Sequence, residues 1–462
     1  PKERGWGWQS KGTVLGLPWI HISFRYRDGW KPVPAKGVIA VGHVSVGVIG
    51  VGQFALGLIA IGQFVLAGWA LAHVGAAYSL IAQVGVYVDD GYGQVMVDAS
   101  EALRPPPTEA ELRAVVFTPA LRPDWPVSTP QDEGLDPLLL AGLYHEAGRS
   151  EKLLGLAVVK NGQLIGEGYF NGGGPDRKNR LASVSKSWTS AMIGIALDEG
   201  AIDGLDQKMI DYFPDVADRI QDPRKHEITL RQMLEMRTGY PWEETDHRLW
   251  ETFLQGSYVP LVADFPLVSD PGTQFAYSNT VTNLLGIILE RATETDMRTY
   301  GDARLFGPLG VEPGEWLIDV DGYHIACGEM HLTVREAAKL GQLYLNDGVW
   351  DGDQIIPASY VEDSLARHTE YASSGGVQGA KVGRCFRNIG YGYQWWSATV
   401  GDHYVQYAAG HGGQLTVILE EYNMVIQTAS DPFYLQHDGE SWKHEVAAYD
   451  LVGEFITSLP PK

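Results

Sequence analysis

The 462-residue chain is poor in cysteine, with only Cys327 and Cys385. Two thiols make neither a disulfide framework nor a cysteine-rich metal site, and both are expected to be free. Basic residues are scarce too: 35 Lys and Arg stand against 57 Asp and Glu, a net charge of −22 that excludes nucleic acid as a partner. No apolar h-region with a small-residue cleavage site follows the first residues, so no signal peptide is expected and the reading is a cytoplasmic protein. A Gly-x-Ser-x-Gly elbow is missing, which argues against an α/β-hydrolase. His-Glu-x-x-His is missing as well, since His145-Glu146 lacks a second histidine; neither a metal nor a cofactor is expected. Finally, Gly37 to Val88 contains no Asp, Glu, Lys or Arg.

That uncharged stretch is a repeat. A small residue returns every five positions, from Gly37, Gly42 and Gly47 through to Ala77 and Ala82. The third and fifth positions of each pentad are aliphatic or aromatic, as in Ile39/Val41 and Phe54/Leu56. Alternate pentads carry His43, Gln53, Gln63, His73 and Gln83 at the second. A five-residue period makes no helical stripe. It suits a β-solenoid with small residues at the corners, resembling pentapeptide-repeat solenoids. On a four-sided coil the polar residues form one column on each of two sides, and the remaining apolar sides need a partner. The rival reading is a pair of Gly-rich membrane-spanning helices, flanked by the net charge of +5 in residues 1–36. Either way, residues 1–92 are read as a module for self-association or membrane association.

Residues 93–130, with Arg104-Pro105-Pro106-Pro107 and Pro119 to Pro130, read as a proline-rich linker interrupted by an amphipathic piece, Glu109 to Val116. Residues 131–462 form the second domain. Asn161-Gly162 between two β-rich runs signals a hairpin, and Leu415–Leu419 with Met424–Thr428 a second one. Helices are expected at Leu138–Gly148, behind Ser183, at Thr229–Met236, Asn283–Thr293, Arg335–Leu345 and Trp442–Ile456. Strands at both ends with helices between them predict an α+β fold: an antiparallel sheet, helices packed on it, and an all-helical insertion.

Three motifs carry chemistry. Ser183 and Lys186 are three apart at a helix start, which places both on one face of the first turn. A serine hydroxyl needs a base within reach, and a desolvated lysine can supply one. Tyr277-Ser278-Asn279 offers a phenol to move protons and an amide to position a carbonyl. A second such triplet, Tyr344-Leu345-Asn346, lies inside a periodic helix and is read as packing. Gly410-His411-Gly412-Gly413-Gln414 precedes a strand, where glycines such as Gly413 admit a substrate to the strand edge and the Gln414 amide can serve as an oxyanion donor.

In this order the motifs resemble the serine β-lactamase-like hydrolases from about Gly134 to Leu459, above all the class C type with its esterase and oligoamide-hydrolase relatives. Thr238-Gly239-Tyr240-Pro241-Trp242-Glu243-Glu244 and Gly412-Gly413-Gln414 look most like the 6-aminohexanoate-dimer (nylon oligomer) hydrolases. The resemblance implies Ser183 as nucleophile, Lys186 as its base, Tyr277 as proton shuttle and Asn279 as a positioning group. It further implies an oxyanion hole from the Ser183 and Gln414 amides, and a pocket near Trp242, with Trp395 and Trp396 as further apolar lining. The substrate implied is a small ester or amide. One departure matters: the lysine that usually opens the third motif is His411 here, so a β-lactam carboxylate lacks its cation. A β-lactamase or D-amino-acid peptidase is the alternative activity, and a lactamase-like sensor or scaffold the non-enzyme alternative.

Overall fold

A computed structural model describes residues 3–28, 30–92, 95–98, 105–370, 382–433 and 441–462. The chain divides into two compact units, Pro1–Pro107 and Thr108–Lys462.

The first unit is strand-rich. Strand β1 (Arg4–Gln9) pairs antiparallel with β2 (Ile20–Arg27), which pairs in parallel with the start of β3 (Ala35–Tyr92). Its end pairs in parallel with β4 (Val95–Asp98). Within β3 the backbone returns on itself at intervals of ten residues. A Cβ on Gly47 would sit 2.2 Å from the Gly37 carbonyl oxygen, and one on Gly62 2.0 Å from that of Gly52, so only glycine fits. The Phe54 and Phe64 rings stack at 5.1 Å, and His43 Nδ1 lies 3.2 Å from Gln53 Oε1.

Two expectations are corrected here. A four-sided coil of pentads repeats every twenty residues, whereas these contacts repeat every ten, so His43 and Gln53 share one column rather than two. The interior is mostly small: Ala40, Ala55, Ala60 and Ala70 are buried, with Val65 and Leu80 as larger side chains in the same columns. Most of the large apolar residues point outward. Nor does the stretch form helices: no helix among the described residues is long and apolar enough to cross a membrane. The Gln83 side chain and Arg104 lie outside the described residues.

The second unit is built on an eight-stranded sheet. In chain order its elements are α1 (Pro137–Ala147), β5 (Leu153–Lys160), β6 (Gln163–Tyr169), α2 (Ser185–Asp198), α3 (Asn279–Thr293), α4 (Val334–Leu345), β7 (Thr369–Glu370), β8 (Phe386–Tyr391), β9 (Trp396–Val400), β10 (His403–Gly410), β11 (Gln414–Leu419), β12 (Met424–Ser430) and α5 (Ser441–Ser458). The sheet order β7-β8-β9-β10-β11-β12-β5-β6 is antiparallel throughout. Asn161 and Gly162 both take positive φ, 52° and 76°, the backbone that a two-residue hairpin matching the strand twist requires. Helix α4 starts with a reciprocal capping box between Thr333 and Glu336 and lies on β12 and β5. Cys327 is buried and Cys385 half-buried; both are free.

The proline-rich stretch is not a linker throughout. From Thr108 it belongs to the second unit, and its apolar and polar anchors are specific. Trp125 is buried and donates from Nε1 to the Arg335 carbonyl at 3.0 Å. Leu164 N donates to the Pro126 carbonyl at 2.8 Å, extending the β6 edge. Beneath them Arg335, buried on α4, donates to Glu167 Oε1 (2.8 Å), Asp124 Oδ1 (2.7 Å) and the Ala120 carbonyl (2.7 Å). The guanidinium holds the Glu167 carboxyl below its usual value although burial pushes the other way. Removing one member strands a buried charge. Arg335→Met is therefore expected to lower unfolding stability by about 3–5 kcal/mol, read by denaturant titration, with the Arg335→Met/Glu167→Leu double variant recovering much of the loss. A single variant within about 1 kcal/mol of the parent would show the network to be dispensable.

Candidate active site

Ser183 sits in a 3₁₀ turn, Ala182–Val184, that runs straight into α2, so Ser183 and Lys186 share the first turn as their spacing predicts. Ala182 has a φ of +47°, a left-handed conformation that turns the chain sharply before the serine. Gly410, the last residue of β10, packs against this turn. A Cβ there would lie 2.3 Å from the Leu181 oxygen and 3.0 Å from the Ser183 nitrogen. The glycine is needed for backbone approach, and it brings the end of β10 beside the Ser183 amide.

Lys186 is 1% exposed. Its Nζ lies 2.9 Å from Ser183 Oγ, 2.7 Å from Asn279 Oδ1 and 2.9 Å from the Cys327 carbonyl oxygen. The last two are acceptors only. In its neutral form the amine would have two hydrogens for these two acceptors and one lone pair for the serine hydroxyl. Burial lowers the lysine pKa, which favours that neutral form. Cys327 is no rival nucleophile, because burial pushes its thiol up to about 11.

Tyr277 lies over the same group, with Lys186 Nζ 5.0 Å from its ring centre. Burial raises its pKa well above the usual value, while a hydrogen bond with Ser183 opposes this. The phenol is therefore held protonated, equipped to give a proton and not to act as the resting base. Trp396 stacks on it at 5.6 Å and Trp242 meets it edge-on at 5.9 Å.

Asn279 has both amide atoms occupied. Its Oδ1 accepts from Lys186 and its Nδ2 donates to Glu244 Oε1 at 2.7 Å. It joins the lysine to a carboxylate instead of presenting a free amide to the cleft. Glu243, next to Trp242, is buried at the start of α3, where it accepts from Ser278 Oγ at 3.0 Å and Thr280 N at 3.1 Å. Burial raises its pKa to about 7. Asp246 instead caps a short surface helix, accepting from Arg248 N at 2.9 Å.

A cleft of about 690 Å³ opens over Ser183, lined by Trp242, Glu244, Tyr277, Trp396, Gly410 and His411 among others. Tyr407, Tyr449 and Glu445 complete one wall. No lysine or arginine is among the described lining residues. Gly413 and Gln414, expected at the oxyanion site, do not line the cleft. Gln414 is fully buried, its amide side chain bonded both ways to the Ser430 backbone, and Gly413 faces Ala448 of α5. Trp395, expected in the channel, is 1% exposed and packs on Tyr344 at 4.7 Å, both in the core. His411 Nδ1 lies 3.1 Å from Glu445 Oε2, which also accepts from Gly412 N at 3.1 Å. The turn is held from behind by Lys152, which donates to the Gly412 carbonyl at 2.9 Å and whose pKa burial lowers to about 7.

Glu445 and Tyr449 had no signal in the sequence, since only the packing of α5 brings them here. Glu244 was visible as part of an acidic loop, without its link to Asn279. Among the described residues no group of His, Cys, Asp and Glu is placed to hold a metal ion.

A 6-aminohexanoate-dimer hydrolase of Paenarthrobacter ureafaciens is 28% identical over 261 residues, covering 52% of this chain and 62% of the relative. The chain thus spans less than two thirds of the length of the curated relatives it matches. Among solved structures, a proposed 6-aminohexanoate-dimer hydrolase from Bacillus anthracis superposes with a TM-score of 0.53 at 24% identity, covering 67% of this chain and 81% of that one. An octameric penicillin-binding protein homologue from Pyrococcus abyssi gives 0.51 at 17% identity, covering 68% and 76%. The family profile described as Beta-lactamase matches residues 143–450, two thirds of the chain and the whole of the site, and the protein belongs to that family.

Proposed function

We propose that the protein is a serine hydrolase that cleaves ester or amide bonds of small substrates through an acyl-enzyme on Ser183. One observation carries the reading: the buried Lys186 amine has two acceptor-only partners and a serine hydroxyl as its third. Lys186 takes the Ser183 proton as Oγ attacks the carbonyl. Tyr277 passes a proton to the leaving group and, in deacylation, helps draw one from water. The developing oxyanion is met by the Ser183 amide and, in place of the Gln414 amide expected from sequence, by that of His411 at the end of β10. Asn279 and Glu244 orient the lysine. A Ser183-His411-Glu445 triad is the competing arrangement, but it leaves the Lys186 contacts without a role.

Ser183→Ala is expected to abolish turnover and fluorophosphonate labelling; Lys186→Ala and Tyr277→Phe are each expected to lower kcat by at least about 10²-fold. A Lys186→Ala enzyme with near-normal turnover would remove the lysine from the mechanism, and an unlabelled parent enzyme would favour a sensor or scaffold.

Because the neutral amine is the competent form, kcat/KM rises with pH through the lysine pKa. Burial lowers that pKa, so the plateau is expected below the ordinary lysine value of about 10.4. A profile still rising steeply at that pH would contradict a desolvated base.

Substrate charge follows from the lining. Glu244 and Glu445 contribute carboxylates to a cleft whose described lining holds no lysine or arginine, and the aromatic walls suit alkyl or aryl chains. Amine-bearing or neutral substrates are expected to exceed carboxylate-bearing ones of equal length by about fivefold or more in kcat/KM, the gap shrinking with added salt. Parity or the reverse order in a matched pair would refute this and readmit a β-lactamase-like specificity. Self-association or membrane association through the first unit is also part of this proposal.

A further inference from the structure

The outer surface of the ten-residue repeat has an unusual composition. Residues ten apart stack into columns, and interior columns hold Ala40, Ala60 and Ala70. Six columns face outward. Five are headed by Phe54, Leu56, Leu58, Ile59 and Ile61, each at least 40% exposed. The sixth carries Gln53, Gln63 and His73, polar but without a formal charge at neutral pH. Apolar columns therefore surround the stack on nearly every side. A partner copy related by a two-fold axis covers one face and leaves the others in water.

Three further observations point to lipid. The backbone is extended throughout Ala35–Tyr92 and lies against itself one layer away, the approach that layer-to-layer pairing of backbone groups in hydrocarbon requires. Residues 37–86 make five layers, and at an inter-strand spacing of about 4.8 Å they span roughly 24 Å, close to the ~30 Å of a bilayer's hydrocarbon core. The layers are preceded by β1 and β2, whose region exposes Trp6, Trp8, Trp19 and Trp30 by 50–82% together with Lys11, Lys31 and Lys36. Exposed tryptophans and lysines beside an uncharged apolar stem are the pattern of a membrane–water boundary, and the +5 charge of residues 1–36 complements anionic headgroups.

We propose that residues 37–86 form a β-coil inserted into the acyl-chain region of an anionic lipid bilayer, with the tryptophans and lysines of residues 1–36 at the headgroup level. This rests on the first unit alone and is independent of the hydrolase reading.

The test is flotation of the full-length protein with vesicles of mixed phosphatidylcholine and phosphatidylglycerol, and with phosphatidylcholine alone. The parent protein is expected to float with both and more completely with the anionic vesicles. Leu58→Glu/Ile61→Glu, on the apolar columns, is expected to lower partitioning by about 100-fold or more. Lys11→Glu/Lys31→Glu/Lys36→Glu changes only exposed side chains and is expected to abolish the preference for anionic vesicles. Thermal unfolding of the second unit checks that each variant is otherwise intact. If the apolar-column variant fails to fold, the lysine variant decides: an undiminished anionic preference overturns the proposal. A parent protein that stays in the aqueous phase with both vesicle types overturns it too. So does a discrete oligomer by light scattering that vesicles leave unchanged, which would mean that copies of this chain cover the columns.

Discussion

The site is organised around one buried amine and the groups that bond to it. A buried ammonium without a counter-charge is strongly disfavoured, and Glu243 and Glu244 approach Lys186 without pairing with it directly. Two carbonyl-type oxygens at 2.7 and 2.9 Å give the amine its hydrogen bonds while leaving the lone pair committed to Ser183. Much of the surrounding structure serves this arrangement. Glu243 fixes the start of α3, α3 fixes Asn279, and the Cys327 backbone is tied to Asn283 of the same helix at 2.9 Å. One helix thus positions both oxygens that set the lysine's protonation.

The opposite wall is built differently. β10 must end in a residue without a side chain because the Leu181–Ser183 turn occupies the space a Cβ needs. The turn after it is held by Lys152, just before β5, and by Glu445 of α5, about 260 and 33 residues away in sequence from Gly412. The nucleophile is set by local helix geometry, while the groove that receives the substrate is assembled from remote segments.

This difference explains what could be read in the sequence. Ser183 and Lys186 were legible because three residues in a helical turn fix their relation without tertiary knowledge. The Asn161-Gly162 hairpin was legible for the same reason, its turn demanding two positive φ values. The third motif was legible only as a region: with Gly410, Gly412 and Gly413 close together, the sequence does not say which one meets the serine, and contact with Leu181 decides for Gly410. Trp395 and Trp396 are adjacent, so on a strand one faces the core and the other the cleft, but the parity is set by β9 pairing with β10. Proline content suggested a linker where Trp125 and Asp124 in fact anchor the segment, since no periodicity announces an irregular stretch that packs. The five-residue period identified the repeat, but not that His43 and Gln53 share one column, which depends on the backbone pairing with itself every ten residues.

A structure that repeats its contacts every ten residues has a quantised length. Loss or gain of ten residues within Gly37–Val88 removes or adds one layer, and every remaining side chain keeps its column. A change of five preserves the small-residue interior but shifts Gln53, Gln63 and His73 out of line with His43, interrupting the polar column. Any other length sets bulky residues against positions such as Gly47 and Gly62, where a Cβ cannot be accommodated. The stem can therefore vary in reach by whole layers while its cross-section stays fixed, a kind of variation closed to the catalytic unit with its fixed constellation.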